Sequence, residues 1–448
     1  MTSRIVLAAS FFAAFLSSGS DAIAKSSQKS RGTMTFSAGC SGGDRITIAA
    51  VGDLLFHNRL QRYAFAKKRG FRQFWRPVED ILKSADVTYG NLEGPTADGV
   101  AIGGRKVRDP GMRLDLRVYG YRRGSLIFNF HPQVVRDLAT SGFDIVSTAN
   151  NHALDRGARG LERTIYHLRR NHIRFTGTRL RMGQARASES VDVGRGRLPP
   201  ARAQSNRWST LTHTSGITVG WLACTYSNNG MPDRHRQVLQ CYKDRETVLG
   251  EIKRLTALGI VDAIMFTPHW GAEYVHRPTR KQRRLAREAI KAGATVVLGG
   301  HPHVLQPWEK VQTGNGREGL IIYSLGNFIS NMRPSPQRVG TIAMIELTKK
   351  KTGQTGISAA GYVPTWVVID GRGNRVTVAG RKSWARRHAR RIFPNGNAIP
   401  SNTRPSNTLQ GRKSTALPRN CPVPAPTLVR APDVSSEVAT LERAKDPR

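Results

Sequence analysis

The sequence holds 448 residues, with 70 Lys and Arg against 31 Asp and Glu, a formal net charge of +39. That length is ample for one large core or two, and no apolar run past the N-terminus reaches the ~20 residues that a membrane helix needs, which excludes a multi-spanning protein. The charge favours anionic partners: acidic polymers, lipopolysaccharide, a membrane surface or nucleic acid.

In chain order, Met1 to Arg4 form a positive n-region and Ile5 to Leu16 an apolar h-region, followed by Ala22-Ile23-Ala24, a small-x-small cleavage signal. This pattern predicts a signal peptide over residues 1–24, export to the periplasm or beyond, and no membrane span after cleavage. No cysteine stands at the cleavage point, so no lipid anchor is expected. Export makes the four cysteines readable as disulfides. Cys224 and Cys241 flank a short loop, Cys40 and Cys421 would staple the two tails, and the sequence leaves all three pairings open. None has Cys-x-x-Cys spacing, so cysteine is not expected in a metal site.

Residues 25–44 are rich in Ser, Lys and Gly and read as a disordered spacer. Strands are then expected at 45–53, 86–90, 143–149, 217–226, 261–267, 295–298, 320–324, 341–347 and 362–369. A polar, helix-like stretch follows the first strand, and further helices are expected at 132–141, 161–170, 246–258 and 280–292. This alternation predicts an α/β fold, in which ligands gather beyond the carboxyl ends of the strands. One domain spans 45–379, with basic insertions near 99–125 and 179–207. Residues 380–448 show no apolar period and read as a mostly disordered basic tail.

Chemistry-bearing residues cluster at the expected strand ends. Of Gly52-Asp53 with His57, Asn91-Leu92-Glu93, Asn150-Asn151-His152, His269-Trp270-Gly271, Gly300-His301-Pro302-His303 and Tyr323-Ser-Leu-Gly-Asn327-Phe328, most follow an apolar run of strand length. Hydrolysis near neutral pH needs an acidified water and stabilisation of developing negative charge, and two divalent ions supply both. Carboxylates suit a bridging position, and neutral imidazoles with an amide oxygen complete the donor set. Trp270 and Tyr274 read as packing residues.

These six motifs, in this order over roughly residues 45–350, resemble the CapA family of capsule and poly-γ-glutamate biosynthesis proteins, which is itself similar to the calcineurin-like metallophosphatases. The resemblance implies a four-layered sandwich, two mixed β-sheets flanked by helices. It also implies a dinuclear metal-dependent hydrolase of phosphoester or amide bonds, holding two divalent transition metal ions (Mn, Fe or Zn). Carried across, Asp53 and His303 would bind one ion, Glu93 would bridge, and Asn151, His269 and His301 would hold the other. His57 is a further expected ligand, four residues after Asp53 where the metallophosphatase pattern has Asp-x-His. His152 would protonate the leaving group. Asn91, Asp155, Glu273 and Asn327 would orient ligands or substrate.

The expected partner is an anionic polymer, poly-γ-glutamate or a capsular polysaccharide, within an envelope synthesis or export complex. The alternative reading is a non-catalytic polymer-binding or export subunit that uses its basic surface. Nucleic acid ranks last, since no binding motif appears and export would remove the chain from it.

Overall fold

Alternate residues of the first long strand enter two different cores, because side chains along a strand point to opposite faces. Ile46, Ile48 and Ala50 join one buried cluster, while Ala49 and Val51 join another. The computed structural model describes residues 34–66, 70–121, 124–181, 208–371 and 373–393. The expected signal peptide, most of the second insertion and the tail beyond 393 lie outside the described residues.

The chain runs through β1 (Gly43–Leu54), α1 (Asn58–Ala66), α2 (Glu79–Lys83), β2 (Val87–Leu92), α3 (Gln133–Thr140) and β3 (Ile145–Ser147). It continues through α4 (Gly157–Arg170), β4 (Arg174–Thr176), β5 (Ser209–Thr214), β6 (Ile217–Thr225), α5 (Arg245–Ala257) and β7 (Ala263–His269). Then come α6 (Arg280–Ala292), β8 (Val296–Leu298), β9 (Leu305–Gln312), β10 (Glu318–Leu325) and β11 (Asn327–Ile329). The last elements are β12 (Val339–Lys350), β13 (Thr355–Asp370), β14 (Gly373–Val378) and α7 (Trp384–Ile392).

One sheet has eight strands, ordered β14-β13-β12-β1-β2-β3-β4 with β11 also paired to β1; the other has six, ordered β5-β6-β7-β8-β10-β9. Both are mixed: β1 to β4 run parallel and β12 antiparallel to β1, while β6, β7, β8 and β10 run parallel between antiparallel edge strands. Between the sheets, Ile46, Ile48 and Tyr89 meet Val219, Trp221, Met265 and Ile322. The outer face of the first sheet is covered from α1 and α3 by Leu60, Ala64, Val134, Val135 and Leu138. The outer face of the second is covered from α5 and α6 by Val248, Ile252, Leu285, Ala289 and Ile290. The result is the expected four-layered α/β sandwich. Strands buried on both faces read as continuous apolar runs, which is why the central ones were legible.

Two boundaries differ from expectation. Residues 34–42 pack rather than trail: Phe36 is buried in the inter-sheet core, ahead of a short helical turn at Ser37–Cys40. At the other end α7 adds Ala385 and Ala389 to that core beside Trp308 and Phe393. Its apolar face consists mostly of small residues spaced by four among arginines, too faint a stripe to mark it in sequence. Cys224 and Cys241 form a disulfide with Cα atoms 5.0 Å apart, tying the end of β6 to its following loop. The pairing of Cys40 with Cys421 lies outside the described residues. Among the described residues no helix is long and apolar enough to cross a membrane.

Candidate metal centre

The parallel strands of both sheets end on the same side, and their ends carry the expected residues. From the first sheet, β1 delivers Asp53 beside Asn91 of β2, in direct register, and β3 leads into Asn150-Asn151-His152. From the second, β7 ends at His269, which bridges to Gly300 just before His301. β11 pairs with β1 so that Asn327 stands opposite Asp53.

That pairing needs glycine at 52, where a Cβ would lie 1.8 Å from the Gly326 carbonyl oxygen. Gly300 has a related role: a Cβ there would lie 2.8 Å from Asp53 Oδ1 and 3.4 Å from His269 Nδ1. These approaches explain the glycines that precede both ligand pairs.

Asp53, Glu93, His269, His301 and His303 are all at most 3% exposed. Their ligand atoms form two groups, each mutually within 4.8 Å: Glu93 with His301 and His303, and Asp53 with Glu93 and His269. Glu93 is common to both, the place expected for a bridging carboxylate. Asp53 and His303, expected to share an ion, are also in contact.

Hydrogen bonds fix most of the ring. Asn91 Nδ2 donates to Asp53 Oδ1 (2.8 Å), and the His301 backbone N–H points at Asp53 Oδ2 (3.3 Å). His269 Nε2 pairs with Asn151 Oδ1 at 2.8 Å, while His303 Nδ1 lies 2.9 Å from Asn327 Oδ1 and 3.1 Å from Asp53 Oδ2. Three atoms have no hydrogen-bond partner: both Glu93 carboxylate oxygens and His301 Nδ1. Leaving a buried carboxylate without hydrogen bonds is costly, and a cation at this point would answer that cost. The donor set of carboxylate oxygens, imidazole nitrogens and an amide oxygen fits a divalent transition metal.

The electrostatics agree. Burial pushes the Glu93 carboxyl up to about 8, with the charge of Asp53 adding to it against the pull of His303. Burial also acts to raise Asp53, but the hydrogen bond and charge of His303 outweigh it and hold the group down at about 2. Burial and neighbouring histidines lower His301 to about 2, and burial lowers His269 to about 3, so both rings are neutral and able to bind metal. His303 is opposed by burial yet raised to about 9, by Glu93, Asp53 and Glu273 around it.

His152 stands beside this cluster with Nδ1 2.8 Å from Asp155 Oδ2, and the same Asp155 oxygen accepts from the Phe128 N–H (2.6 Å). His57 belongs to neither donor group. Its Nδ1 accepts from the Asn331 N–H at 3.2 Å, its ring lies edge-on to Tyr121 and Phe128, and burial lowers it to about 4. Glu273 is exposed on the loop after β7. Trp270 packs as expected, fully buried with Nε1 donating to the Tyr323 carbonyl. Tyr274 does not: it is 50% exposed, with its ring 6.2 Å from that of His303. Tyr226, at the end of β6, lies closer still, its ring 4.3 Å from His301. Sequence reading passed over Tyr226 as a strand residue, although its place just past a parallel strand was the available signal.

Residues 47–332 match the family described as bacterial capsule synthesis protein PGA_cap. Among curated proteins, the chain is 26% identical over 289 residues to the capsule biosynthesis protein CapA of Bacillus anthracis, a match covering 64% of this chain and 60% of that protein. It is 24% identical over 312 residues to the PGA biosynthesis protein CapA of Bacillus subtilis, covering 69% and 70%. Among solved structures, it is similar to a putative 5'-nucleotidase from Staphylococcus aureus in complex with alpha-ketoglutarate. That likeness has a TM-score of 0.38 at 15% identity, over 73% of this chain and 55% of the other.

Proposed function

The chain belongs to the family of bacterial capsule synthesis proteins, and from that premise we propose that it is an exported, dinuclear metal-dependent hydrolase acting on phosphoester or amide bonds of a capsule-type polymer such as poly-γ-glutamate. The observation that carries this reading is Glu93. Its carboxylate is fully buried, accepts no hydrogen bond, has His269 Nε2 and His303 Nε2 at 3.4 and 3.6 Å, and is shared by two sets of donor atoms.

Asp53, Glu93, Asn151, His269, His301 and His303 would hold the ions. Ions bound there supply Lewis acidity, stabilising negative charge that develops on substrate oxygens and making water acidic enough to attack near neutral pH. The protein's own groups do the rest. Asn91 and Asn327 orient Asp53 and His303 through hydrogen bonds, the kind of support that ligating side chains require. Asp155 accepts from His152 Nδ1, which leaves Nε2 free to deliver a proton to the departing oxygen or nitrogen. Tyr226 and Tyr274 flank the histidines and form the walls against which substrate lies.

The test is a screen of phosphoesters and γ-glutamyl amides with Mn, Zn or Fe added and with chelator. Hydrolysis should require metal, and His152→Ala should lower kcat by about 10²–10⁴-fold. Asp155→Asn should shift the acidic or basic limb of the pH–rate profile while leaving metal content intact. Turnover indifferent to chelation would contradict the hydrolase reading, and full activity in His152→Ala would contradict the role of that residue.

A further inference from the structure

Away from the histidines, the first insertion folds back on itself. Val100 pairs with Lys106, the Val107 N–H donates to the Gly99 carbonyl, and the Ile102 N–H donates to the Arg117 carbonyl. The fold forms an open pocket of about 500 Å³, within the size range of ligand pockets. Its wall is apolar at Ile102, Val107 and Val118 and cationic at Arg105, Arg108 and Arg117. Arg117 is neutralised by a forked ion pair with Asp115, with contacts of 2.8 to 3.2 Å. Arg105 and Arg108 are exposed and have no ion-pair partner among the described residues. The pocket therefore carries net positive charge beside an apolar strip of Ile102, Val107 and Val118.

We propose that this pocket is a second binding site, independent of metal, for a polymer bearing carboxylates on short aliphatic arms. Guanidinium groups meet carboxylates with paired N–H donors, and the apolar wall suits methylene groups between the charges. A compact inorganic anion would gain nothing from Ile102, Val107 and Val118. The pocket is also tethered to the chain segment that carries His152. Arg156 is fully buried and donates from Nη2 to the Val118 and Gly120 carbonyls (3.3 and 3.0 Å), pinning the pocket wall to the segment where Asp155 holds His152. The proposal goes beyond the hydrolase reading and does not depend on it.

The experiment measures anisotropy of a labelled, short γ-linked glutamate oligomer with the full chain, in EDTA and across a salt series. Arg105→Ala/Arg108→Ala should weaken binding by about tenfold or more and flatten its salt dependence. The control removes the same charge elsewhere, Arg390→Ala/Arg391→Ala on the exposed face of α7. Equal loss in both double variants would mean diffuse attraction and would overturn the proposal, as would competition by inorganic polyphosphate as strong as that by unlabelled oligomer. Binding that Glu93→Gln leaves unchanged supports a separate site; binding lost in Glu93→Gln would place the oligomer at the metal centre and overturn it. A protein that binds the oligomer but hydrolyses nothing would sink the hydrolase reading alone.

Discussion

His301 and His303 hold φ angles of +93° and +56°, a region that residues with a Cβ seldom enter. Such positions cost about 1–3 kcal/mol each and persist where surrounding contacts impose them. Here the imposing contacts are the His301 N–H on Asp53 and the Asn327 oxygen on His303. A specific comparison follows. His301→Gly and His301→Ala both remove the imidazole, but only glycine relaxes the backbone. In urea unfolding without added metal, the Gly variant should be more stable than the Ala variant by about 1 kcal/mol. The opposite order would show that residue 301 is not strained. The histidines themselves were legible because their motifs recur at strand ends. The approach of Tyr226 and Tyr274 depends on side-chain directions that spacing does not encode.

At the scale of elements, three parallel strands share one device that the sequence displays openly. An Asp just before the strand accepts the backbone N–H of its neighbour: Asp86 from Thr47, Asp144 from Thr88, Asp262 from Thr218, at 2.7 to 2.8 Å. The same Asp N–H donates back to that neighbour's carbonyl, which pins the register. Two of the strands that were missed have specific causes. β11 is three residues long and is held by the close approach at Gly52, while β9 carries Pro307, which an edge strand tolerates and a sequence reader takes as a break. The helix α7 was missed for its small apolar face, yet it packs against the loop that follows β7. His388 on α7 faces His276 with rings 4.9 Å apart and stacks on Trp384. Burial, with His276 and Arg391 adding to it, lowers His388 to about 4 from 6.5. The unfolded chain therefore takes up a proton near 6.5 and the folded one only near 4, so stability present above 6.5 is lost as pH falls through that window. Hydrogen exchange over 384–392 should accelerate between those values, and His388→Leu should remove the change. Exchange that is flat in the unsubstituted protein across that range would contradict the coupling.

For the whole molecule, the α/β class followed from apolar runs separated by helices and the four layers from the family resemblance, and the candidate metal-centre residues converge because both sheets end their parallel strands on one side. Charge alone was a poor guide. A net charge of +39 named anionic partners without a place for them, and only the folded insertion gathers Arg105, Arg108 and Arg117 around a pocket. The central claim is that Glu93 lies between two ions. Its most direct test is the metal content, by elemental analysis, of the chain from residue 25 onward after incubation with Mn and Zn, beside Glu93→Ala/His301→Ala prepared identically. The account predicts close to two equivalents in the first protein and their loss in the second, with both still folded. No bound metal in the first, or the same content in both, would contradict it.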